Sequence, residues 1–202
     1  MIKYIDQNNT YIDAEVTIGD NTIIYPNVII EGNSQIGKNC IIHFGTYIKD
    51  SIIEDNTTIY NSFIISSQIG SNSQIGPFAH IRANNIIENN VHIGSFVEIK
   101  NSNINENSKI SHLAYVGDSS IGKKVNIGGG VITANYDGKN KYKTDIKDEA
   151  FIGSNATLIA PVEVGNKSYV AAGSTIDKNV PDNNLAIARK HQENKNRKIV
   201  IF

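Results

Sequence analysis

Every sixth position is isoleucine in the stretch YIDAEVTIGDNTIIYPNVIIEGNSQIGKNCIIHFGTYI, residues 11–48. A small or β-branched residue stands four positions after most of these isoleucines, and glycine often follows the isoleucine directly. A period of six matches neither the turn of an α-helix nor the alternation of a simple strand. Repeated six-residue units with β-branched side chains and Gly- or Asn-rich corners are typical of a β-helix, in which each unit supplies one short strand and one corner.

The same period returns from Ile69 to Ile99 and again from Ile146 to Ile176. If three units form one coil, residues 18 apart stack on neighbouring rungs at the strand spacing of about 4.8 Å. Two units, from 99 to 104 and from 116 to 121, are one residue short, and both fall on the same face. We therefore expect an all-β fold, a parallel β-helix of hexapeptide repeats that extends through most of the chain.

The repeat is interrupted at residues 133–145, within the stretch GVITANYDGKNKYKTD. This segment is one unit plus seven extra residues, so it predicts an inserted loop on one face with the faces on either side still in phase. A break in a repeat array is either a binding or catalytic feature or a tolerated surface loop. The residues of the loop do not decide between these two interpretations.

Length and composition exclude several classes of protein. A chain of 202 residues is long enough for one domain with a sizeable core. A net charge of −1 gives no basic surface for nucleic acid and no attraction to an anionic membrane, and no apolar run approaches the length of a membrane helix. The single cysteine, Cys40, forms no internal disulfide and favours a reducing compartment. We expect a cytoplasmic protein without a nucleic-acid or membrane partner.

Stacking at this period predicts one column of small residues with a histidine at its foot. An imidazole beside such a column leaves a groove for a thin, extended ligand next to a potential base. The alternative is that small residues serve only the tight corners of the β-helix and that the histidine is a surface residue. The column comprises Ser95, His112, Gly129, Ser154 and Ala172.

A second predicted column holds two cations. Arg82 and Lys100 are 18 residues apart and each follows the aliphatic residue of its unit, so they lie on adjacent rungs. Two cations so placed repel each other unless they share an anion, and phosphate is the natural one. The alternative is that both long side chains extend separately into solvent.

Several motifs occur in order along the chain: GPFAHIR at 76–82, GSFVEIK at 94–100, SHLAYVGD at 111–118, NYDG at 135–138 and AIAR at 186–189. Their order and spacing resemble the hexapeptide-repeat acyltransferases and, among them, the acetyltransferase domain of the bacterial bifunctional N-acetylglucosamine-1-phosphate uridyltransferase / glucosamine-1-phosphate acetyltransferase. The resemblance implies a left-handed parallel β-helix and a homotrimer with sites between subunits. It also implies transfer of an acetyl group from acetyl-CoA to the amino group of glucosamine 1-phosphate, a step towards UDP-N-acetylglucosamine and cell-wall precursors.

The resemblance also implies residue roles. His112 matches the general base, which suits an imidazole because its ordinary pKa lies near working pH. Glu98 matches a carboxylate near the base, although stacking places it under Tyr115 and away from the His112 column. Position 129 is alanine in the family and glycine here. The residues that match the sugar-phosphate site are Arg82, Lys100, Tyr115, Asn126 and Lys141, the last reaching across a subunit boundary. Those that match the acetyl-CoA site are Gly129, Asn135, Tyr136, Ser154, Ala172 and Arg189.

By this resemblance we expect a β-helix acetyltransferase domain over residues 1–184 and a C-terminal tail over 185–202 that contributes to the acetyl-CoA site. The Gly-rich loop that opens the family's nucleotidyltransferase domain is not found in these residues, so UDP-sugar formation is not predicted for them. A stand-alone enzyme and a fragment of a bifunctional one both fit the sequence.

Three other functions occur on or are compatible with a β-helix. A related sugar or sugar-nucleotide acetyltransferase fits the fold, but the Arg82/Lys100 pair and the NYDG loop disfavour it. A zinc enzyme of the γ-carbonic anhydrase kind needs several histidines at each site, and the five histidines of the sequence show no close pair, so no metal is predicted. A non-catalytic scaffold does not explain a column of small residues beside a base.

Overall fold

A computed structural model describes residues 1–194, which form a three-sided parallel β-helix. In these residues 30 short strands and one short 3-10 helix, Gln7–Asn9, follow one another along the chain. The strands form three sheets, A, B and C, which the chain visits in turn. All strand pairings within the sheets are parallel, and each strand pairs with strands one coil before and after it, as in the register of Ile23 with Ile41. The prediction of an all-β hexapeptide β-helix is confirmed, and the structure is consistent with the left-handed form.

The strands are numbered in chain order. Sheet A contains β1 Lys3–Tyr4, β4 Ile23–Ile24, β7 Ile41–Ile42, β10 Thr58–Ile59, β13 Gln74–Ile75, β16 His92–Ser95, β19 Lys109–His112, β22 Asn126–Ile127, β25 Phe151–Ile152, β28 Tyr169–Val170 and β30 Leu185–Ala186. Sheet B contains β2 Tyr11–Ile12, β5 Ile29–Glu31, β8 Tyr47–Lys49, β11 Phe63–Ile65, β14 His80–Ile81, β17 Glu98–Lys100, β20 Tyr115–Gly117, β23 Ile132–Ala134, β26 Thr157–Ile159 and β29 Thr175–Ile176. Sheet C contains β3 Thr17–Ile18, β6 Gln35–Ile36, β9 Ile52–Ile53, β12 Ser67–Ile69, β15 Asn85–Ile87, β18 Asn103–Ile104, β21 Ser119–Ile121, β24 Thr144–Ile146 and β27 Val162–Val164.

The core is a stack of inward-facing aliphatic side chains, one from nearly every strand. Most are isoleucines that are almost completely buried, and each contributes about 1.5–3 kcal/mol by leaving water. The buried sequence Ile48, Ile53, Ile59, Ile64 and Ile69 contains three further five-residue steps that the six-residue period did not reveal. The three sheets nevertheless continue through these coils, because each strand still pairs with the strand one coil earlier.

The corners of the prism require a left-handed backbone, and asparagine most often supplies it. Asn21, Asn39 and Asn56 lie on successive coils with positive φ, a conformation that asparagine tolerates better than most residues. Their side-chain amides also bond to one another, from Asn21 Nδ2 to Asn39 Oδ1 at 3.3 Å and from Asn39 Nδ2 to Asn56 Oδ1 at 3.2 Å. The Asn-rich corners of the sequence thus form a ladder of their own.

The insertion and the tail depart from the regular coil. Thr133 occupies the core position of its unit and is buried, and the chain then leaves the prism until β24. The predicted tail begins with β30, which pairs with β28 in sheet A, so the β-helix continues beyond residue 184. The part of the predicted tail from 195 to 202 lies outside the described residues. No helix among residues 1–194 is long and apolar enough to cross a membrane.

Candidate active site

The predicted His112 column, Ser95 to Ala172, stacks as the spacing indicated. Ser95 and His112 are register partners between β16 and β19. The rungs above are joined by backbone hydrogen bonds, from Asn155 N to the Gly129 carbonyl and from Gly173 N to the Ser154 carbonyl, both at 2.8 Å. The column therefore runs along the corner between sheets A and B, with the imidazole near one end.

His112 is exposed at the end of β19. A Cβ added at Gly129 would lie 3.3 Å from His112 Cδ2, so the glycine leaves room beside the ring that an alanine would fill. Among the described residues no side chain hydrogen-bonds to the imidazole of His112. The ring can therefore accept a proton from a group bound in the groove.

A second histidine lies near His112. Burial lowers the pKa of His92, and the nearby Lys109 and His112 lower it further. The fold thus brings two histidines together that are 20 positions apart in the sequence, which the sequence did not indicate. Within residues 1–194 no group of three or more His, Cys, Asp or Glu side chains has the arrangement of a metal site.

Arg82, Lys100 and Lys141 form a cation cluster at the opposite edge of sheet B. Arg82 N donates to the Ile99 carbonyl at 2.8 Å, which places Arg82 and Lys100 on adjacent rungs as predicted. The Lys141 side chain lies against Lys100 and lowers the pKa of that ammonium. Three cations thus converge at one corner of the prism.

Glu98 belongs to this cation cluster and not to the His112 column. Its Oε1 accepts a hydrogen bond from Arg82 Nη1 at 2.8 Å, and the ion pair is partly exposed. Glu98 is the register partner of Tyr115, as the spacing indicated. No hydrogen bond joins it to His112 in the described part of the chain, so within one chain the geometry does not fit Glu98 as the carboxylate that orients the base.

The inserted loop, residues 135–143, is an ordered hairpin. Tyr136 and Lys141 form an antiparallel bridge, and the turn is closed by Asp137, whose Oδ1 accepts hydrogen bonds from Asn140 N at 2.6 Å and Lys139 N at 2.8 Å. These two N–H groups lower the pKa of Asp137. Within one chain the hairpin directs Lys141 to Lys100, and its contact across a subunit boundary stays a prediction.

The remaining predicted residues divide between two faces. Asn135 is buried and bonds to Asp118, beside the ring of Tyr115, and this places the start of the loop next to the cation cluster. Asn126 lies on sheet A, in register with Lys109 and Phe151. Within one chain, therefore, Asn135 and Tyr136 are not at the His112 column, and Asn126 is not beside the cations.

Arg189 closes the far end of the His112 column. A Cβ added at Gly173 would lie 3.8 Å from Arg189 Cδ, so the arginine stem packs over the rung of Ala172. The tail reaches this position because Ala171 N donates to the Ala186 carbonyl at 2.9 Å. The tail thus places a cation at the end of the column, and the predicted role of Arg189 in the acetyl-CoA site stays a prediction.

Two features of the site were missed in the sequence. Asp118 contacts both the loop and Asn101, and Gly117 leaves space for the Tyr115 ring because a Cβ there would overlap the phenol and the Asn135 amide. Phe78, Phe96 and Leu113 also have positive φ at corners where other coils carry Asn or Gly. The second feature could have been found by reading the third position after each core residue of sheet A.

Comparison with known proteins gives the relationship of the chain. The family described as the hexapeptide repeat of succinyl-transferase matches residues 144–178, and the family described as the GMPPB C-terminal domain matches residues 6–87. The bifunctional protein GlmU of Clostridioides difficile (strain 630) is 52% identical over 191 residues, which cover 95% of this chain and 42% of that protein. GlmU of Caldanaerobacter subterraneus subsp. tengcongensis is 53% identical over 194 residues, with 96% and 42% covered.

The chain therefore spans about two fifths of the length of these curated relatives. Among solved structures, the UDP-N-acetylglucosamine acyltransferase of Francisella novicida aligns with a TM-score of 0.63 at 21% identity, over 93% of this chain and 67% of that one. The enzyme of the same name from Campylobacter jejuni aligns with a TM-score of 0.59 at 17% identity, over 94% and 72%. At these identities the likeness supports the fold alone.

Proposed function

We propose, from the homology of this chain to the C-terminal acetyltransferase part of the bifunctional GlmU proteins, that it transfers an acetyl group from acetyl-CoA to the amino group of glucosamine 1-phosphate. The product is N-acetylglucosamine 1-phosphate, a precursor of UDP-N-acetylglucosamine and of the cell wall. The observation that carries the proposal is the presence on one β-helix of an exposed imidazole beside a column of small residues and of a three-cation cluster.

His112 is the general base of the proposed reaction. The sugar nitrogen forms a bond to the thioester carbonyl carbon, and the imidazole takes the proton that the nitrogen loses. The carbon–sulfur bond then breaks, and the leaving CoA thiolate takes up that proton from the imidazolium to give the free thiol. The exposure of His112 supports this role, as does the absence of a hydrogen bond to its ring from any side chain within residues 1–194. A general base of this kind typically contributes about 10²–10⁴-fold to the rate.

The cation cluster binds the sugar phosphate. Glu98 neutralises part of the charge of Arg82. Lys100 and Lys141 lie close together, and the effect of Lys141 on the pKa of Lys100 exceeds that of the nearby Asp118 carboxylate. A phosphate dianion accepts hydrogen bonds from all three cations and removes their repulsion. Tyr115 and Asn126 complete the sugar site in this proposal.

The acyl donor lies along the His112 column. Acyl-CoA needs a narrow groove for its pantetheine arm, and Gly129, Ser154 and Ala172 keep the corner free of bulk. Arg189 at the end of the column supplies a cation for the phosphates of the donor. Asn135 and Tyr136 contact the donor from the neighbouring chain. No step of this mechanism requires a metal ion.

The active unit is a homotrimer in this proposal. The base and the cation cluster lie on different edges of one prism, so a second chain brings the two halves of a site together. Phe78, Phe96 and Leu113, which are 52%, 61% and 63% exposed, form an apolar stripe next to the His112 column. Large exposed apolar side chains at corners with positive φ fit a subunit interface in an oligomer with closed cyclic symmetry.

Mixed trimers test the shared site. His112→Ala and Lys141→Ala chains are each expected to be inactive alone, and their mixture should partly regain activity because some interfaces carry both native residues. The readout is thiol release after co-refolding, with mass measurement of the mixed trimers. A mixture that forms mixed trimers and stays inactive would place both residues in a site within one chain.

The substrate is tested by the release of free thiol from acetyl-CoA with glucosamine 1-phosphate, glucosamine or UDP-glucosamine as acceptor. We expect turnover with glucosamine 1-phosphate and little with the other two acceptors. Glucosamine has no phosphate, and the uridine of UDP-glucosamine hinders binding of its phosphates at the cation cluster. Preference for UDP-glucosamine would favour the alternative, another sugar-nucleotide acetyltransferase. The proposal includes a cytoplasmic location, in keeping with the free thiol of Cys40, whose pKa is raised by burial.

A further inference from the structure

Asp118 lies where the inserted loop leaves and rejoins the prism. It follows β20 with a left-handed backbone, φ 48°. Its N–H donates to the Lys100 carbonyl at 3.0 Å, and its own carbonyl accepts from Thr144 N, the first residue of β24, at 3.2 Å. The backbone of Asp118 thus links the strand that carries Lys100 to the end of the loop.

The side chain of Asp118 holds the other end of the loop. One carboxylate oxygen, Oδ2, accepts a hydrogen bond from Asn135 Nδ2, at the first residue of the loop. The second, Oδ1, accepts from Asn101 Nδ2 at 2.5 Å, and Asn101 directly follows Lys100. One residue therefore contacts both ends of the loop and the prism corner beneath it.

The charge of Asp118 also acts on the cation cluster. Lys141 lowers the pKa of Lys100 by repulsion, whereas Asp118 opposes that effect and favours the protonated ammonium. Glu98, the other carboxylate nearby, is engaged by Arg82. The Asp118 carboxylate therefore favours the charged form of Lys100 beside Lys141 before any phosphate arrives.

A matched corner without a loop exists in the N-terminal coils. Asp50 follows Lys49 as Asp118 follows the strand β20, and its φ is 46°. Its N–H donates to the Glu31 carbonyl at 3.3 Å, and its Oδ1 accepts only from a neighbouring backbone group, Asn33 N at 3.1 Å. Asp50 thus shares the backbone conformation of Asp118 but holds no insertion.

We propose that Asp118 is a positioning residue that fastens both ends of the inserted loop and so fixes Lys141 beside Lys100 for the phosphate of the acceptor. The proposal rests on the proposed function for the identity of the anion. The attachment of the loop itself is independent of that function and can be measured separately.

The experiment compares Asp118→Ala with Asp50→Ala, because both substitutions place alanine at the same left-handed backbone. We expect Asp118→Ala to raise the KM for glucosamine 1-phosphate about 10-fold, with the KM for acetyl-CoA changed less than about 2-fold. Trypsin should also cleave the loop at its lysines several-fold faster, and phosphate should slow that cleavage in the parent protein. Asp50→Ala should change neither quantity.

Asp118→Asn distinguishes positioning from folding. Asn135 can turn its amide and bond to the new side chain, so the native rate of loop cleavage should largely return, while part of the KM increase remains because the charge is lost. The proposal is overturned if Asp118→Ala retains the parent's trypsin rate, or if Asp118→Asn is cleaved as fast as Asp118→Ala. If neither the parent protein nor any variant acetylates glucosamine 1-phosphate, the proposed function is wrong. The rate of trypsin cleavage still decides whether Asp118 holds the loop.

Discussion

The N-terminal coils and the central coils have the same backbone but differ in the charges on adjacent rungs of sheet B. In sheet B, Glu31 and Lys49 are register partners and form an ion pair at 3.7 Å between adjacent rungs. Arg82 and Lys100 occupy the equivalent outward positions later in the chain, and there both residues are cations. Opposite charges on adjacent rungs stabilise a ladder modestly, whereas like charges destabilise it. The like charges of the central coils fit the phosphate site proposed there, and the N-terminal coils lack this arrangement.

The two regions also differ in the residues at their corners. At the edge between sheets A and B, the N-terminal coils carry Asn27, Gly45 and Asn61, which accept a positive φ. The central coils carry Phe78 and Phe96 at equivalent corners, both exposed and both with positive φ. A bulky residue in this conformation costs about 1–2 kcal/mol. Asparagine or glycine at these corners would therefore make the central coils locally more stable. The exposed phenylalanines fit the subunit interface of the proposed trimer.

The largest effect is expected at the base. His112→Ala should lower turnover by at least about 100-fold, the contribution of a general base, with little change in Tm because the residue is exposed. His43, which stacks between Tyr25 and Tyr60 with ring centroids 4.7 and 4.3 Å away, serves as the N-terminal control. His43→Ala should lower Tm and leave turnover near the parent value. A His112→Ala protein with near-parent turnover would remove His112 from the mechanism.

The charge comparison is sharpened by substituting both ladders. Arg82→Ala and Lys100→Ala should each raise the KM for glucosamine 1-phosphate by about 10–100-fold, because a charge-assisted hydrogen bond to the phosphate is lost, and should affect the KM for acetyl-CoA far less. Lys49→Ala should leave both KM values unchanged. Steady-state kinetics with each substrate varied in turn provides the measurement. If Lys49→Ala and Lys100→Ala raised the KM for glucosamine 1-phosphate equally, the proposed difference in phosphate binding between the two regions would be wrong.

The corner comparison is tested by Phe96→Asn, which gives a central coil the residue type of the N-terminal corners. The isolated chain should be equally stable or more stable by about 1 kcal/mol, because asparagine accepts the left-handed backbone. The assembly should dissociate at a higher protein concentration than the parent, as followed by sedimentation. Retention of the parent's assembly together with a loss of Tm would show that the phenylalanine stabilises its own chain.

The smallest effect is a shift in pH dependence. Lys141 lowers the pKa of Lys100, so in the free enzyme Lys100 loses its charge at a lower pH than an ordinary lysine. Binding of the phosphate should therefore weaken as pH rises through that lowered pKa. Removal of the neighbouring charge by Lys141→Met should move this decline to higher pH, although binding is weaker overall. Competition by inorganic phosphate across the alkaline range measures the shift, and a shift in the other direction would contradict the proximity of the two lysines.

Much of the fold followed from one-dimensional spacing. A β-helix stacks each unit on the one a coil earlier, so the period of the isoleucines determines which residues become neighbours. The His112 column, the adjacency of Arg82 and Lys100, and the position of Glu98 under Tyr115 were all obtained by adding 17 or 18 to a residue number, or 25 across the insertion between Gly129 and Ser154. The short units between Ile48 and Ile69 escaped because a strict period of six passes over them.

The path of the inserted loop could not be obtained in this way. Residues 135–143 belong to no repeat, so the spacing gives neither their direction nor their contacts. The hairpin is closed by hydrogen bonds within the loop, and Asp118 holds Asn135 from 17 positions away; together they direct Lys141 to Lys100 of the same chain. Neither set of contacts follows from the period of six. The proximity of His92 to His112 escaped for the same reason.

The sequence by itself determined the parallel β-helix, the phase of its units and the columns along its edges. In a repeat each unit packs on the unit one coil earlier, so the spacing along the chain also gives the neighbours in space. Only the tertiary structure decided that Glu98 pairs with Arg82, that Asn126 and the cation cluster lie on different faces, and that Asp118 joins both ends of the loop. Those features depend on the directions of individual side chains and on a segment outside the repeat. A period in the sequence fixes which rungs are adjacent and leaves such contacts undetermined.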